Sequence, residues 1–272
     1  MSAGTRAAGR RRARAFTLVE MALVLAILGA LAAAALQPLG VQLEARDRRA
    51  TAATLEQAIE ALYGHAIIHG HLPCPDALSD GDGREDRTAD GACASVAGLL
   101  PAADLGVRAV DAWGNRLRYR VTTRTAPAAA GASFTVSDDG YCRSGDGTLD
   151  LCERGELEVL TRGDDPRTVG RESNASFTLA DAVPAVVISH GANGHGAWRP
   201  GGATLALPAG HIDEAANADA GGTFYARDYA ATRADCHDAG AGRPAPCGFD
   251  DLLRWISPTI LAARLVRAGR LP

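Results

Sequence analysis

Between Phe16 and Leu36 the chain reads FTLVEMALVLAILGALAAAAL, with a single charged residue, Glu20, in the whole stretch. A helix that is apolar on every side is either buried or in a membrane. At 1.5 Å rise per residue this one would be about 30 Å long, the hydrocarbon thickness of a bilayer. Before it lies MSAGTRAAGRRRARA, in which Arg6, Arg10, Arg11, Arg12 and Arg14 have no acidic neighbour. Such a stretch stays on the cytoplasmic side by the positive-inside tendency. Three readings follow. The run is a secretory signal peptide cut near Ala33 to Ala35, with a twin-arginine variant through Arg11 and Arg12. It is a plain signal anchor. Or the basic leader is removed on the cytoplasmic side, before Phe16. Glu20 discriminates among these, because a carboxylate within an apolar run costs roughly 2.5–3.5 kcal/mol to insert and usually marks function. A signal peptide has no use for it.

The string Phe16-Thr17-Leu18-Val19-Glu20 after a basic leader resembles the cleavage and methylation signal of type IV pilins and type II secretion pseudopilins. The pattern there is a small residue, the cut, a Phe or Met, and a Glu four positions on. This chain departs from it at Ala15, where the family usually has Gly. The resemblance implies cleavage between Ala15 and Phe16 by prepilin peptidase and N-methylation of Phe16. It also implies pairing of the Glu20 carboxylate with the Phe16 amine of a neighbouring subunit. In a low-dielectric filament core such a pair is much stronger than in water, and an unpaired charge is costly. Expected partners are therefore the peptidase, other pilin or pseudopilin subunits and an inner-membrane assembly platform. The expected location is the inner membrane, single-pass with a periplasmic head, and then a filament.

All 28 basic residues are Arg, and the net charge is −4. Because the leader is wholly basic, the rest of the chain is more acidic than that figure, which argues against a nucleic-acid partner. Six cysteines fall at 74, 93, 142, 152, 236 and 247. An even count in an exported protein suggests disulfides, and no CxxC supports zinc or thioredoxin-like chemistry. The favoured pairing is Cys74–Cys93, Cys142–Cys152 and Cys236–Cys247, since each closes a short loop containing Gly or Pro.

Beyond Leu36, Pro38 predicts a bend in the helix. Leu55, Ile59, Leu62 and Ala66 then follow one stripe of an amphipathic helix that ends at Gly70 and Pro73. From Phe16 to His69 the helix would be about 80 Å long. His65 and His69 stand at i, i+4 spacing with His71 nearby, a spacing that can bind metal, but there is no HExxH. They read as polar residues at a helix end.

From Leu72 the chain becomes turn-rich. Asp80, Asp82 and Asp86 are calcium candidates, but Arg84 and Glu85 occupy the fifth and sixth positions of any EF-hand loop. A solvated turn is the favoured reading and an irregular calcium loop stays open. Leu117, Tyr119 and Val121 alternate with Arg116, Arg118 and Arg120 as a half-buried strand. The preceding Asp111-x-Trp113-Gly114-Asn115 resembles a turn motif of pseudopilin heads, which implies that Asp111 holds the turn and Trp113 caps the core. Phe134–Ser137 and Leu157–Leu160 are expected as short strands, and Ala185–Ile188 as a central one. Ser189-His190-Gly191-Ala192-Asn193-Gly194-His195-Gly196 invites a hydrolase reading, but GxSxG and phosphate-loop patterns are absent. Asn217, Asp219 and Asp228 read as surface. Asp250–Ile256 is expected to end the sheet, and Pro258 to open a last amphipathic helix.

The expected architecture is α+β: a long N-terminal transmembrane helix packed on an antiparallel, loop-rich, disulfide-bearing head. The expected divisions are 1–15 leader, 16–39 transmembrane and assembly helix, 40–71 its amphipathic continuation, and 72–272 head. The expected function is that of a non-enzymatic minor pilin or pseudopilin with no cofactor. The alternative is a membrane-tethered or secreted periplasmic enzyme or binding protein.

Overall fold

The computed structural model describes residues 17–77, 81–123, 133–135, 154–162, 176–200, 202, 204–231, 236, 238 and 247–270, and all of their side chains except those of 32–39. The chain divides into two compact units, Met1–Arg46 and Asp47–Pro272. Helix α1, Leu18–His69, begins in the first unit and ends in the second, and it stays helical through Pro38.

In the first unit the described side chains of α1 as far as Leu43 are exposed, including Leu18, Val19, Leu23, Leu25 and Leu31, and Glu44 and Ala45 are half-buried. Among the described residues no helix is long and apolar enough to cross a membrane. Phe16 and the side chains of 32–36, which complete the apolar run, lie outside those residues, as do the leader and Ala15.

In the second unit α1 is one wall of the head. Leu55, Ala58, Leu62 and Ala66 are fully buried, with Ile59 packed at their flank. This is the apolar stripe expected from the spacing, and it joins residues 47–69 to the head rather than to the apolar segment. The helix ends where Gly70 takes a left-handed φ of 79°, a conformation that glycine adopts without steric cost.

Against this stripe lies a four-stranded antiparallel sheet of β1 (Ala97–Leu99), β2 (Arg118–Val121), β5 (Ala185–Ser189) and β7 (Leu252–Trp255), in the order β1-β2-β5-β7. Its strand β5 is central, as its apolar sequence predicts, and every residue in it is buried. Ala185 and Val187 face the core shared with α1, whereas Val186 and Ile188 face a second core. Alternation along one strand thus supplies two cores at once. Helix α4, Pro258–Arg267, closes the first core with Leu261 and Leu265. It starts on Pro258 at its first turn, where a missing N–H is harmless.

The second core lies between β5 and β7 of that sheet and a three-stranded sheet of β4 (Ser176–Val183), β3 (Leu157–Arg162) and β6 (Thr223–Tyr225). Here the expectation of an antiparallel head is corrected in part. Strand β3 pairs antiparallel with β4 but parallel with β6. A parallel neighbour needs a long crossover, and β4, β5 and α3 (Ile212–Ala218) supply it.

Two further expectations are corrected. Phe134 is buried in the first core, but the described residues 133–135 form no strand. Trp113 is half-buried and belongs to neither core, so it does not cap one.

Disulfides join Cys74 to Cys93 and Cys236 to Cys247. The third expected pair, Cys142 and Cys152, lies outside the described residues. The first bridge fastens the segment over β1. Asp76 pairs with Leu99 through N–H···O bonds of 3.0 and 2.8 Å, and a Cβ at Gly98 would collide with the Asp76 carbonyl. Only glycine at 98 permits that close approach.

Candidate functional site

The first site is the start of α1. Thr17 precedes the helix and its hydroxyl accepts a hydrogen bond from the Glu20 amide at 3.2 Å. In return Glu20 Oε2 accepts from the Thr17 amide at 2.9 Å and from its hydroxyl at 3.0 Å. This is a reciprocal capping box, in which two orphan amides of a helix N-terminus find side-chain acceptors. Glu20 is exposed. Phe16, its expected partner on a neighbouring chain, lies outside the described residues.

In the head, Asp111 organises the turn before β2 as the sequence implies. Its Oδ1 accepts from the amides of Trp113 and Asn115, both at 2.9 Å. Its Oδ2 accepts from the Ser189 hydroxyl at 2.7 Å, and Asn115 Nδ2 donates to the Gly191 carbonyl at 2.8 Å. Ser189 is therefore tied to a turn carboxylate. The neighbouring His190 points elsewhere: its Nδ1 is 3.5 Å from Asp251 Oδ1, with both side chains fully buried. Serine and histidine do not form a nucleophile–base pair.

The loop 190–196 lies against α3 and against Asp250 and Asp251, just before β7. Glu214, fully buried on α3, is the centre of this cluster. Its Oε2 is 3.2 Å from His195 Nδ1 and 3.1 Å from His211 Nδ1. Its Oε1 accepts from Asn193 Nδ2 at 2.9 Å and faces the Asp250 amide at 3.4 Å. Asp250 Oδ2 accepts from the Asn193 amide at 2.7 Å. Burial, with Asp251 and Glu214 alongside, pushes the Asp250 carboxyl up to about 7, and burial also raises that of Asp251. Asn217 is fully buried and joins β6 to Asp251: its amide bonds to both backbone groups of Tyr225 and donates to Asp251 at 2.8 Å. The surface reading of Asn217 is thus corrected, while Asp219 and Asp228 are exposed as expected.

One residue along α3, Asp213 has the opposite surroundings. Arg162 approaches it at 3.0 Å, and Arg227 bridges it at 2.6 Å to Asp238 at 3.0 Å. Asp238 Oδ1 also accepts from the Cys247 amide at 2.8 Å, tying this ionic network to the Cys236–Cys247 bridge. A ring nitrogen of His211 lies within 4.8 Å of both sulfurs of that bridge, but bridged sulfurs are not thiolate ligands.

The calcium candidates are engaged locally. Asp82 Oδ1 accepts from the Arg84 amide at 2.8 Å and Asp86 Oδ2 from the Ala77 amide at 2.5 Å, while Asp80 lies outside the described residues. At the end of α1 the rings of His65, His69 and His71 gather within 4.2 to 6.1 Å of one another. Two of their Nδ1 atoms face carbonyls, His65 that of His71 at 3.0 Å and His71 that of Leu72 at 2.9 Å.

No curated protein and no solved structure matches the chain. One family model does, the prokaryotic N-terminal methylation motif, over residues 10–36. That span holds Arg10, Arg11, Arg12 and Arg14, the Ala15–Phe16 junction, the Thr17–Glu20 capping box and the apolar run. The chain therefore carries at its N-terminus the methylation motif that is the signature of type IV pilins and pseudopilins.

Proposed function

We propose that the protein is a pilin-like filament subunit of the minor pilin or pseudopilin class, cut by prepilin peptidase between Ala15 and Phe16 and N-methylated on Phe16. The observation that carries this reading is Glu20, held in the first turn of α1 four residues from Phe16 and within the matched motif. Its carboxylate is exposed and, among the described residues, bonded to Thr17 of its own helix end. An incoming ammonium group can replace those contacts without any rearrangement of the head. Pairing with the methylated amine of an adjacent subunit then fixes the axial register of α1 in the filament.

The subunit is anchored in the inner membrane by the apolar run and holds its head in the periplasm, where the cysteine bridges form. From there the assembly platform adds it to a filament with other pilins. Its role is structural rather than enzymatic, a reading supported by the separation of Ser189 from His190 described above. Mass spectrometry of the mature N-terminus tests the proposal. N-methylated Phe16 is expected; an intact leader, or a start near Leu36, overturns it.

A further inference from the structure

We propose that His195, His211 and Glu214 form a binding site for one first-row divalent metal ion with the ligand preferences of zinc. The two imidazole Nδ1 atoms stand 3.2 and 3.1 Å from the same carboxylate oxygen, Glu214 Oε2. One ligand atom from each of the three residues lies within 4.8 Å of the others. Ligand atoms around a tetrahedral zinc, with bonds of about 2.0–2.2 Å, stand roughly 3.3 Å apart. The two N···O spacings found, which also serve as hydrogen bonds, lie close to that separation. Two imidazoles and one carboxylate with a vacant fourth position suit zinc and its neighbours rather than calcium, which takes an oxygen shell.

A second, independent observation lies on the other side of Glu214. One carboxylate oxygen each of Glu214, Asp250 and Asp251 lie within 4.8 Å of one another. Asp250 is 5% and Asp251 3% exposed, and the Oδ1 atom of each accepts no hydrogen bond from the described residues. His190 Nδ1 stands 3.5 Å from Asp251 Oδ1 and the Arg48 charge acts on Asp250, but among those residues no arginine forms an ion pair with any of the three, whereas Asp213 next to them has two. Three buried carboxylates with so little positive charge beside them are costly, and buried charges are ordinarily paired or bind metal. A divalent ion at Glu214 supplies the missing charge.

The surroundings are also those of a supported ligand set. Asn193 holds Glu214 through Oε1 at 2.9 Å, and its own Oδ1 accepts from the His195 amide at 2.8 Å. One side chain thus orients two ligands, the task of outer-shell residues around metals. The His195 side chain is 23% exposed while those of His211 and Glu214 are buried, so an ion enters past His195. Bound there, it would clamp the loop 190–196 to α3.

The full chain, purified in detergent and stripped by chelation, is titrated with zinc by calorimetry and with cobalt(II) by absorption. One saturable equivalent per chain is expected, with a tetrahedral cobalt spectrum and a higher Tm. His195→Gln and Glu214→Gln should each weaken binding at least as much as outer-shell changes do, about 10–100-fold. His69→Gln, in the other histidine cluster, should leave it unchanged. His195→Gln alters the partly exposed ligand and keeps the test informative if Glu214→Gln misfolds. The proposal is overturned if no saturable equivalent appears, if binding survives His195→Gln at full strength, or if it disappears in His69→Gln.

Discussion

Glu20 has two alternative partners on the scale of a single hydrogen bond. In the isolated chain it caps the first turn of its own helix through Thr17 at 2.9 and 3.0 Å. In the proposed filament it meets an ammonium group instead. Because capping contributes only on the order of 1 kcal/mol, the first state does not oppose the second. Glu20→Ala should insert in the membrane normally but fail to enter filaments; equal recovery of mutant and wild type in sheared filaments would refute the assembly role. A different residue-scale effect is expected at the end of α1. Burial holds the His65 and His71 imidazoles below the ordinary histidine pKa of 6.5. The fold therefore favours their neutral forms. Their contribution to stability is complete above that value and is lost as pH falls through the depressed folded values. Between pH 7 and pH 5 the Tm of the wild type should fall more steeply than that of His65→Gln, as read by circular dichroism. Parallel curves would remove His65 from this account.

Among the elements, α1 and β2 were the most legible from sequence. The stripe Leu55, Ile59, Leu62, Ala66 and the alternation through Leu117, Tyr119 and Val121 state which faces are buried, because burial on those elements follows a fixed period. Leu62 is fully buried, and Leu62→Ala should cost about 2–5 kcal/mol by urea denaturation. Ile68, on the same helix but 65% exposed, should tolerate alanine within roughly 0.5 kcal/mol. Equal losses at the two positions would contradict the placement of the stripe. Other elements left weaker signals. Strand β6 has three residues, too few for any period, and its parallel pairing with β3 depends on a crossover that no local pattern encodes. The buried polar cluster was illegible for a related reason. His195, His211 with Glu214, and Asp250 with Asp251 come from three polar stretches, each of which alone resembles a loop. Only their mutual contacts make burial tolerable, and those are tertiary. The one local hint was α3 itself, where Glu214 and Asn217 fall three apart on a short helix and so share a face.

For the whole head, covalent and non-covalent closure act together. Cys74–Cys93 closes a loop of sequence separation 19, for which the loss of chain entropy predicts about 3 kcal/mol. The double variant Cys74→Ser, Cys93→Ser should show that loss in denaturation, together with faster proteolysis in the segment before β1. Unchanged stability would mean that the Asp76–Leu99 pairing alone holds the segment in place. The remaining wall of the first core depends on the two ends of the head meeting. Leu55 and Leu62 of α1 share that core with Leu261 and Leu265 of α4, and Arg264 reaches Glu60 across a sequence separation of 204. Contacts this distant along the chain form slowly, since the loop must close before they are made. During synthesis, then, the apolar stripe of α1 emerges early, and its cover stays incomplete until residues 258–267 have been made. A newborn head spends nearly its whole elongation time with one greasy wall not fully closed, and for that interval it depends on whatever else in the cell will keep that wall from sticking.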